Sequence, residues 1–392
     1  MPSTPLLSGP FVRVLLANFF FFLNFASFFL LPVHVKALGG DEATVGAVMG
    51  TAGIAGLVTL PFVGMGIDRY GRRRFLVVGS AVMTVLSLCF VSVDRIGWPL
   101  FLLRMLQGMS FAAAFTAAAT LAAELAPRAR RAEALGLFGV STLSTHAIAP
   151  AVGEEIVRRA GFPVLFTVAA ALSLLAIVCV AGVPPGNVRR HRGEVGTPLR
   201  FERLQWILAF TMVCCGLAFG AVVTFIPTFV LTGGLGRVGT FFAVYTGAAV
   251  LTRLIGGGLS DAFGRRAVIV PTLLLLAASI LVLSTVTSVR TLVIAAGLFG
   301  LAQGLSYPTL NAFAVDLSAD EHLGRAQALF NGAFNLGVTS SAFIFGAVVV
   351  RFGYRPMFML AAVTPVVGCI VFYVTTHAAA LPIVAPGGHD GS

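Results

Sequence analysis

His146, Arg104, Gln107, Glu154, Asn24 and Asn335 lie within long apolar runs. A polar side chain there is costly and normally faces a cavity or a partner. His146 has about twelve residues of its run on either side, roughly 18 Å at the helical rise, which puts it at mid-depth of an apolar layer. A histidine changes charge near neutral pH, so it suits a carried proton or contact with an acidic substrate. The plainer alternative is a neutral histidine bonded to the Thr142 hydroxyl one turn back. Arg104 shares a helical face with Gln107 and Gly108, and its long stem would also let it snorkel to an interface. Glu154 and Glu155 each precede an arginine, Arg158 and Arg159, by four residues, which is the stabilising order on a helix surface. Consecutive residues point about 100° apart, so at most one of the two faces a cavity. Glu154 is that candidate, with pairing to Arg158 as its alternative. Asn18, Arg253, Asn311 and Asn331 are further polar insertions, and Arg253 either lines the interior or braces a nearby loop.

A second constellation is built for switching. Gly64-x-x-x-Asp68-Arg69-Tyr70-Gly71-Arg72-Arg73 recurs 193 residues later as Gly257-x-x-x-Asp261-Ala262-Phe263-Gly264-Arg265-Arg266. Glycine lets neighbouring helices approach closely. Asp68 at a helix end suits a helix N-terminus or an arginine, and Arg72 and Arg73 lie within reach of Glu124. Asp261, Arg265, Arg266 and Asp316 repeat the set. Charge pairs of this kind would hold one side of the molecule shut and break when it opens, giving a two-state gate. The alternative is a basic anchor with incidental acids.

The elements that must carry these residues are membrane-spanning helices. Of 392 residues, 58% are hydrophobic and only 10% charged, and the mean hydropathy is +0.97. Ordinary soluble domains are about 25% charged. With roughly 20 apolar residues per crossing, about twelve spans are expected: 11–33, 44–67, 75–93, 98–123, 134–157, 162–183, 204–231, 239–259, 267–287, 291–315, 326–349 and 356–377. The first run has no cleavage site and reads as a retained span. The loops facing the side of the termini hold sixteen basic residues against eight opposite. The positive-inside rule then puts both termini in the cytoplasm of a plasma, or inner, membrane. The net charge of +11 is a topology signal, not a nucleic-acid footprint. The five cysteines lie in apolar runs without metal or disulfide spacing. No zinc-protease, nucleophile-elbow or phosphate-loop motif is present, so neither an enzyme nor an ATP-driven pump is expected.

From Pro184 to Arg203 apolar content collapses, dividing the chain into a six-helix bundle at 1–183, a linker at 184–203 and a second bundle at 204–392. Gln107-Gly108 recurs as Gln303-Gly304, and Gly161-Phe162-Pro163-x-x-Phe166 as Gly353-Tyr354-Arg355-x-x-Phe358, shifted by 196 and 192 residues. With the loop motif, these mark a duplicated six-span unit, a parallel repeat known among transporters.

On these residues the chain resembles the major facilitator superfamily over essentially its whole length. The duplicated Gly-x-x-x-Asp-Arg-x-Gly-Arg-Arg loop is that family's signature, and Arg104-x-x-Gln107-Gly108 is similar to its fourth-span motif. Gly136, Pro150 and Gly153 fit the exporter motif of the fifth span, whereas Thr145, Ala149 and Glu154 depart from it. The resemblance implies an all-α fold of twelve transmembrane helices in two pseudo-symmetric bundles. It also implies alternating access, a cavity at the His146 level and an influence of Arg104 on a nearby proton site. The expected function is proton-coupled export of a small amphipathic or apolar molecule. Import of an organic solute and a transporter-like sensor are the alternatives. The proton gradient is the expected energy source, with no cofactor or metal, and the expected form is a monomer in the lipid bilayer.

Overall fold

The computed structural model describes residues 7–127, 130–183, 202–256, 258–317 and 323–378, with the side chains of 68, 132, 261, 323–325 and 378 outside that description. The described residues form helices and short turns. Helix α1 (Gly9–Ser27) passes through a 3-10 turn (Phe28–Leu30) into α2 (Leu31–Ala37), followed by α3 (Glu42–Tyr70), α4 (Arg72–Cys89), α5 (Trp98–Leu125) and α6 (Arg131–Ala181). The second half of the chain holds α7 (Arg203–Thr232), α8 (Val238–Gly256), the short α9 (Leu259–Ala262), α10 (Arg265–Leu283), α11 (Val289–Asp316), α12 (Leu323–Phe352) and α13 (Tyr354–Ala378). Eleven of the described helical segments are long and apolar enough to cross a membrane. The linker expected at 184–203 lies outside the described residues except for Glu202, which caps α7, and Arg203, which opens it.

Helix breaks fall where the sequence repeats glycine. Gly71 and Gly264 sit at φ 90° and 85° with ψ 144° and 145°; Gly71 closes α3 and opens α4, and Gly264 opens α10. That left-handed region penalises any residue with a Cβ. The second repeated pair behaves alike, with φ 81° at Gly161 and 82° at Gly353. Gly161 interrupts the 51 residues of α6. A straight helix of that length would reach about 77 Å, more than twice a hydrocarbon core of about 30 Å. Instead α6 folds back. A Cβ on Gly153 would stand 3.2 Å from Leu165 Cδ1, although twelve residues of straight helix separate such positions by about 18 Å. Helix α1 lies against both arms: Asn18 Nδ2 donates to Ser141 and Thr142 in the first (3.1 and 2.9 Å), and Asn24 Nδ2 to the Ala169 carbonyl in the second (2.6 Å). The fold-back falls between the two spans expected at 134–157 and 162–183.

The two halves of the chain meet mainly through α3 against α12 and α6 against α8. A Cβ on Gly46 would fall 2.0 Å from the Ala342 carbonyl oxygen, and one on Gly53 2.2 Å from Thr339 Oγ1. Small residues let these backbones touch without a hydrophobic driving force between them. The contact does not continue. Gly64, further along α3, has nothing within 4 Å of its Cβ position, and Asn335 and Leu336, one turn beyond Thr339 on α12, are exposed. The end bearing the 38–41 turn is therefore sealed, while the end bearing the chain termini is open between the halves.

Candidate functional site

The opening narrows to an aromatic cleft. His146 on α6 has ring centroids 5.7 Å from Phe22, 5.1 Å from Phe29 and 6.4 Å from Tyr245 on α8. On one side the ring chain continues through Phe22 to Phe111 and Phe115, both at 5.5 Å. On the other it runs from Tyr245 to Phe219 (6.4 Å), Phe334 (5.6 Å) and Tyr307 (5.2 Å). Phe25, Phe111, Phe115, Phe219, Phe334 and Tyr307 are only partly buried. His146 does not bond Thr142, whose hydroxyl donates to the Phe138 carbonyl (3.1 Å) and accepts from Asn18. Its Nδ1 is buried without a hydrogen-bond partner among the described residues. Tyr307 donates to Asn331 Oδ1 at 2.6 Å. Arg253 Nη1 reaches towards α6, 3.8 Å from where a Cβ on Gly139 would stand.

Several residues expected in a cavity lie elsewhere. Arg104 is 3% exposed and donates to Gln107 Oε1 (2.9 Å) and the Val48 carbonyl (3.4 Å). It neither snorkels nor lines the cleft; with Gln107 it braces α5 on α3. Gly108 permits that brace, since a Cβ there would fall 2.0 Å from the Ala52 carbonyl oxygen. Asn24 is also removed from the cleft, being fully buried and donating to Ser87 Oγ (2.8 Å) as well as Ala169. A mid-helix asparagine locks neighbouring helices as readily as it faces water, and sequence spacing does not separate the two. Asn335 is exposed on the α3-facing stripe of α12, where the halves diverge, and its Nδ2 donates to the Asn331 carbonyl at 2.9 Å.

Glu154 holds the seal and faces away from the cleft. Its Oε1 and Oε2 accept from the backbone N–H groups of Val238 (3.1 Å) and Gly239 (2.9 Å). A carboxylate of one half thus caps the α8 N-terminus of the other, where unpaired N–H groups and the helix dipole favour negative charge. Its expected pairing with Arg158 is absent, because Glu155 takes Arg158 and Arg159. A second bridge joins the halves at the same end: Tyr354 donates to Glu42 Oε1 at 2.9 Å, while Lys36 Nζ lies 2.8 Å from that oxygen. The sequence holds no signal for this one, since its partners are 312 residues apart. A surface basin of about 740 Å³, lined by Val152, Glu155, Arg158, Arg159 and Arg237, lies at this sealed end, away from the cleft.

At the open end, Arg72 Nη2 lies 2.7 Å from Glu124, and Arg265 Nε donates to Asp316 at 2.9 Å. Arg73 Nη2 donates to the Ala181 carbonyl at 2.7 Å, while the Arg69 guanidinium lies 5.3 Å from the Tyr70 ring centroid. Each pair joins helices of one half, and each is formed while this end is open. These contacts fix the shape of each loop within its own half. The Asp68 and Asp261 side chains lie outside the described residues.

Known proteins share this architecture. The chain matches the Major Facilitator Superfamily model over residues 14–240 and again over 208–389. It is 24% identical over 352 residues to an uncharacterised MFS-type transporter of Salmonella typhimurium, covering 88% of this chain and 90% of that one. It is 24% identical over 363 residues to the multidrug resistance protein MdtG of Enterobacter lignolyticus, covering 87% and 86%. In fold it is similar to the nucleoside transporter NupG, with a TM-score of 0.78, 14% identity and 93% and 99% of the two chains covered. A POT family transporter in complex with a conjugated peptide gives a TM-score of 0.77 at 14% identity, covering 95% and 96%. A cleft sealed at one end between paired helices, a loop motif present twice and two overlapping family matches lead to one assignment: the chain belongs to the Major Facilitator Superfamily.

Proposed function

We propose that the protein is a secondary active transporter working by alternating access. In this reading the bundles 1–183 and 204–392 rock about the aromatic cleft, with α6 crossing the membrane twice to make twelve spans. The observation that carries it is the asymmetry of the cleft, sealed by α3–α12 and α6–α8 contacts at one end and open at the other. A transporter must hold a seal on one side at a time and exchange it for the other. The basic loops favour a cytoplasmic open end with both termini inside a plasma, or inner, membrane, so this conformation is the inward-open one.

The proposed cargo is a small amphipathic or apolar molecule moved outward as a monomeric antiporter consumes the proton gradient, without a bound cofactor. The phenylalanine walls and the multidrug resistance protein among the relatives support this. His146 is the proposed proton carrier, because it stands where the two halves meet and is the titratable ring of the cleft best placed for exposure to each face in turn. The test is flux of amphipathic dyes in proteoliposomes under an imposed pH gradient. Gradient-dependent movement is expected, and its absence with every dye and in both directions would overturn the reading.

A further inference from the structure

Arg253 is a cation for which the described residues supply no anion. It lies in the membrane-spanning part of α8, its Nε is buried without a hydrogen-bond partner, and no ion pair among the described residues includes it. The other intramembrane arginine, Arg104, differs, since a carbonyl, an amide oxygen and the Met49 sulfur occupy its guanidinium. An arginine within a span and without a counter-charge is expensive and marks an ion or substrate path more often than a structural contact. Arg253 Nη1 extends across the cleft to α6 at Gly139. The bare glycine there leaves room for the planar fork.

The surroundings describe a ligand. Tyr245 stands about two turns before Arg253 on α8, and Tyr307 lies three residues beyond Gly304, where a Cβ would fall 2.9 Å from Thr252 Cβ, next to Arg253. Tyr245 and Tyr307 belong to the ring chain that continues through Phe219 and Phe334. One cationic fork beside an apolar aromatic wall fits a molecule with one planar oxyanion and one hydrophobic body.

We propose that the substrate is an amphipathic organic anion, its carboxylate or equivalent oxyanion held by Arg253 and its apolar part against Phe219, Phe334 and Tyr307. This rests on the transport reading and narrows its cargo. Each substrate molecule would bring the missing counter-charge with it, which gives the cleft a preference for anions over neutral or cationic amphipaths of the same shape.

The test uses three probes of one shape, 4-phenylbutyrate, 4-phenylbutyramide and 4-phenylbutylamine, with the purified full-length protein. Binding is read by thermal stabilisation and calorimetry, and flux by counterflow in proteoliposomes. The carboxylate is expected to bind at least about tenfold more tightly than the amide, and Arg253→Gln to lose about that factor for the carboxylate alone. Arg253→Lys, keeping charge without the fork, should fall between. Equal binding of carboxylate and amide by the wild type, preference for the amine, or no carboxylate binding overturns the proposal. So does unchanged carboxylate affinity in monodisperse Arg253→Gln. If that variant does not fold, the wild-type preference and Arg253→Lys decide. Flux of amide or amine with the carboxylate excluded would refute the anion site and leave transport standing. Selective carboxylate binding without flux would uphold the site and refute transport.

Discussion

Replacing Glu154 with glutamine should loosen the sealed end without touching the cleft. The wild-type carboxylate accepts two backbone N–H groups of α8, at 3.1 and 2.9 Å. Hydrogen bonds to a charged group contribute roughly 1.5–3 kcal/mol each, against about 1 for neutral pairs. Glutamine keeps one acceptor, loses the charge favoured at a helix N-terminus, and turns an amide N–H₂ against the second donor. The expected loss is about 2–3 kcal/mol, reduced to about 1.5 because Glu154 is partly exposed. At 1.4 kcal/mol per power of ten, the ratio of sealed to unsealed molecules falls about tenfold. Spin labels on Arg95→Cys and Arg290→Cys, one in each half, would report it as a longer-distance population. Cys89 and Cys179, which are not fully buried, must first be replaced. A Glu154→Gln distance distribution identical to that of the wild type would refute the latch.

The glycine seam should be less forgiving. Gly46→Leu places side-chain atoms where the Ala342 carbonyl stands, so the labelled sealed end should remain apart and net flux should fall by more than tenfold. Tyr354→Phe removes one bond to the Glu42 carboxylate and should shift the same equilibrium by a few-fold, about 1 kcal/mol. Gly264→Ala forces a Cβ into φ 85° and should cost about 1–2 kcal/mol, read as a lower midpoint of thermal unfolding. His146→Gln should abolish accumulation driven by a pH gradient and spare counterflow; full pH-driven flux would exclude His146 as the carrier.

The sequence alone determined that the chain is helical, membrane-embedded and duplicated. Those properties are local or periodic: apolar run length fixes spans, arginine placement biases the loops, and glycines that recur at offsets of 192 and 193 mark backbone turns with φ between 81° and 90°. His146 was legible because its depth follows from counting along one helix, and the ion-pair partners of Arg72 and Arg265 because they lie at neighbouring helix ends. Tyr245 and Tyr307 were detectable as rare mid-span tyrosines in a chain with five. Only the tertiary structure decided which face each polar residue presents, since lipid, cleft and neighbouring helix are equally apolar contexts in a one-dimensional reading. It sent Asn24 and Arg104 into helix–helix contacts, left Arg253 without an ion pair among the described residues, and turned Glu154 from a proton candidate into a cap for the other half. Such roles depend on which helix stands opposite, at separations of 84 residues for Glu154 and 312 for Glu42, and spacing within a single span carries no information about that.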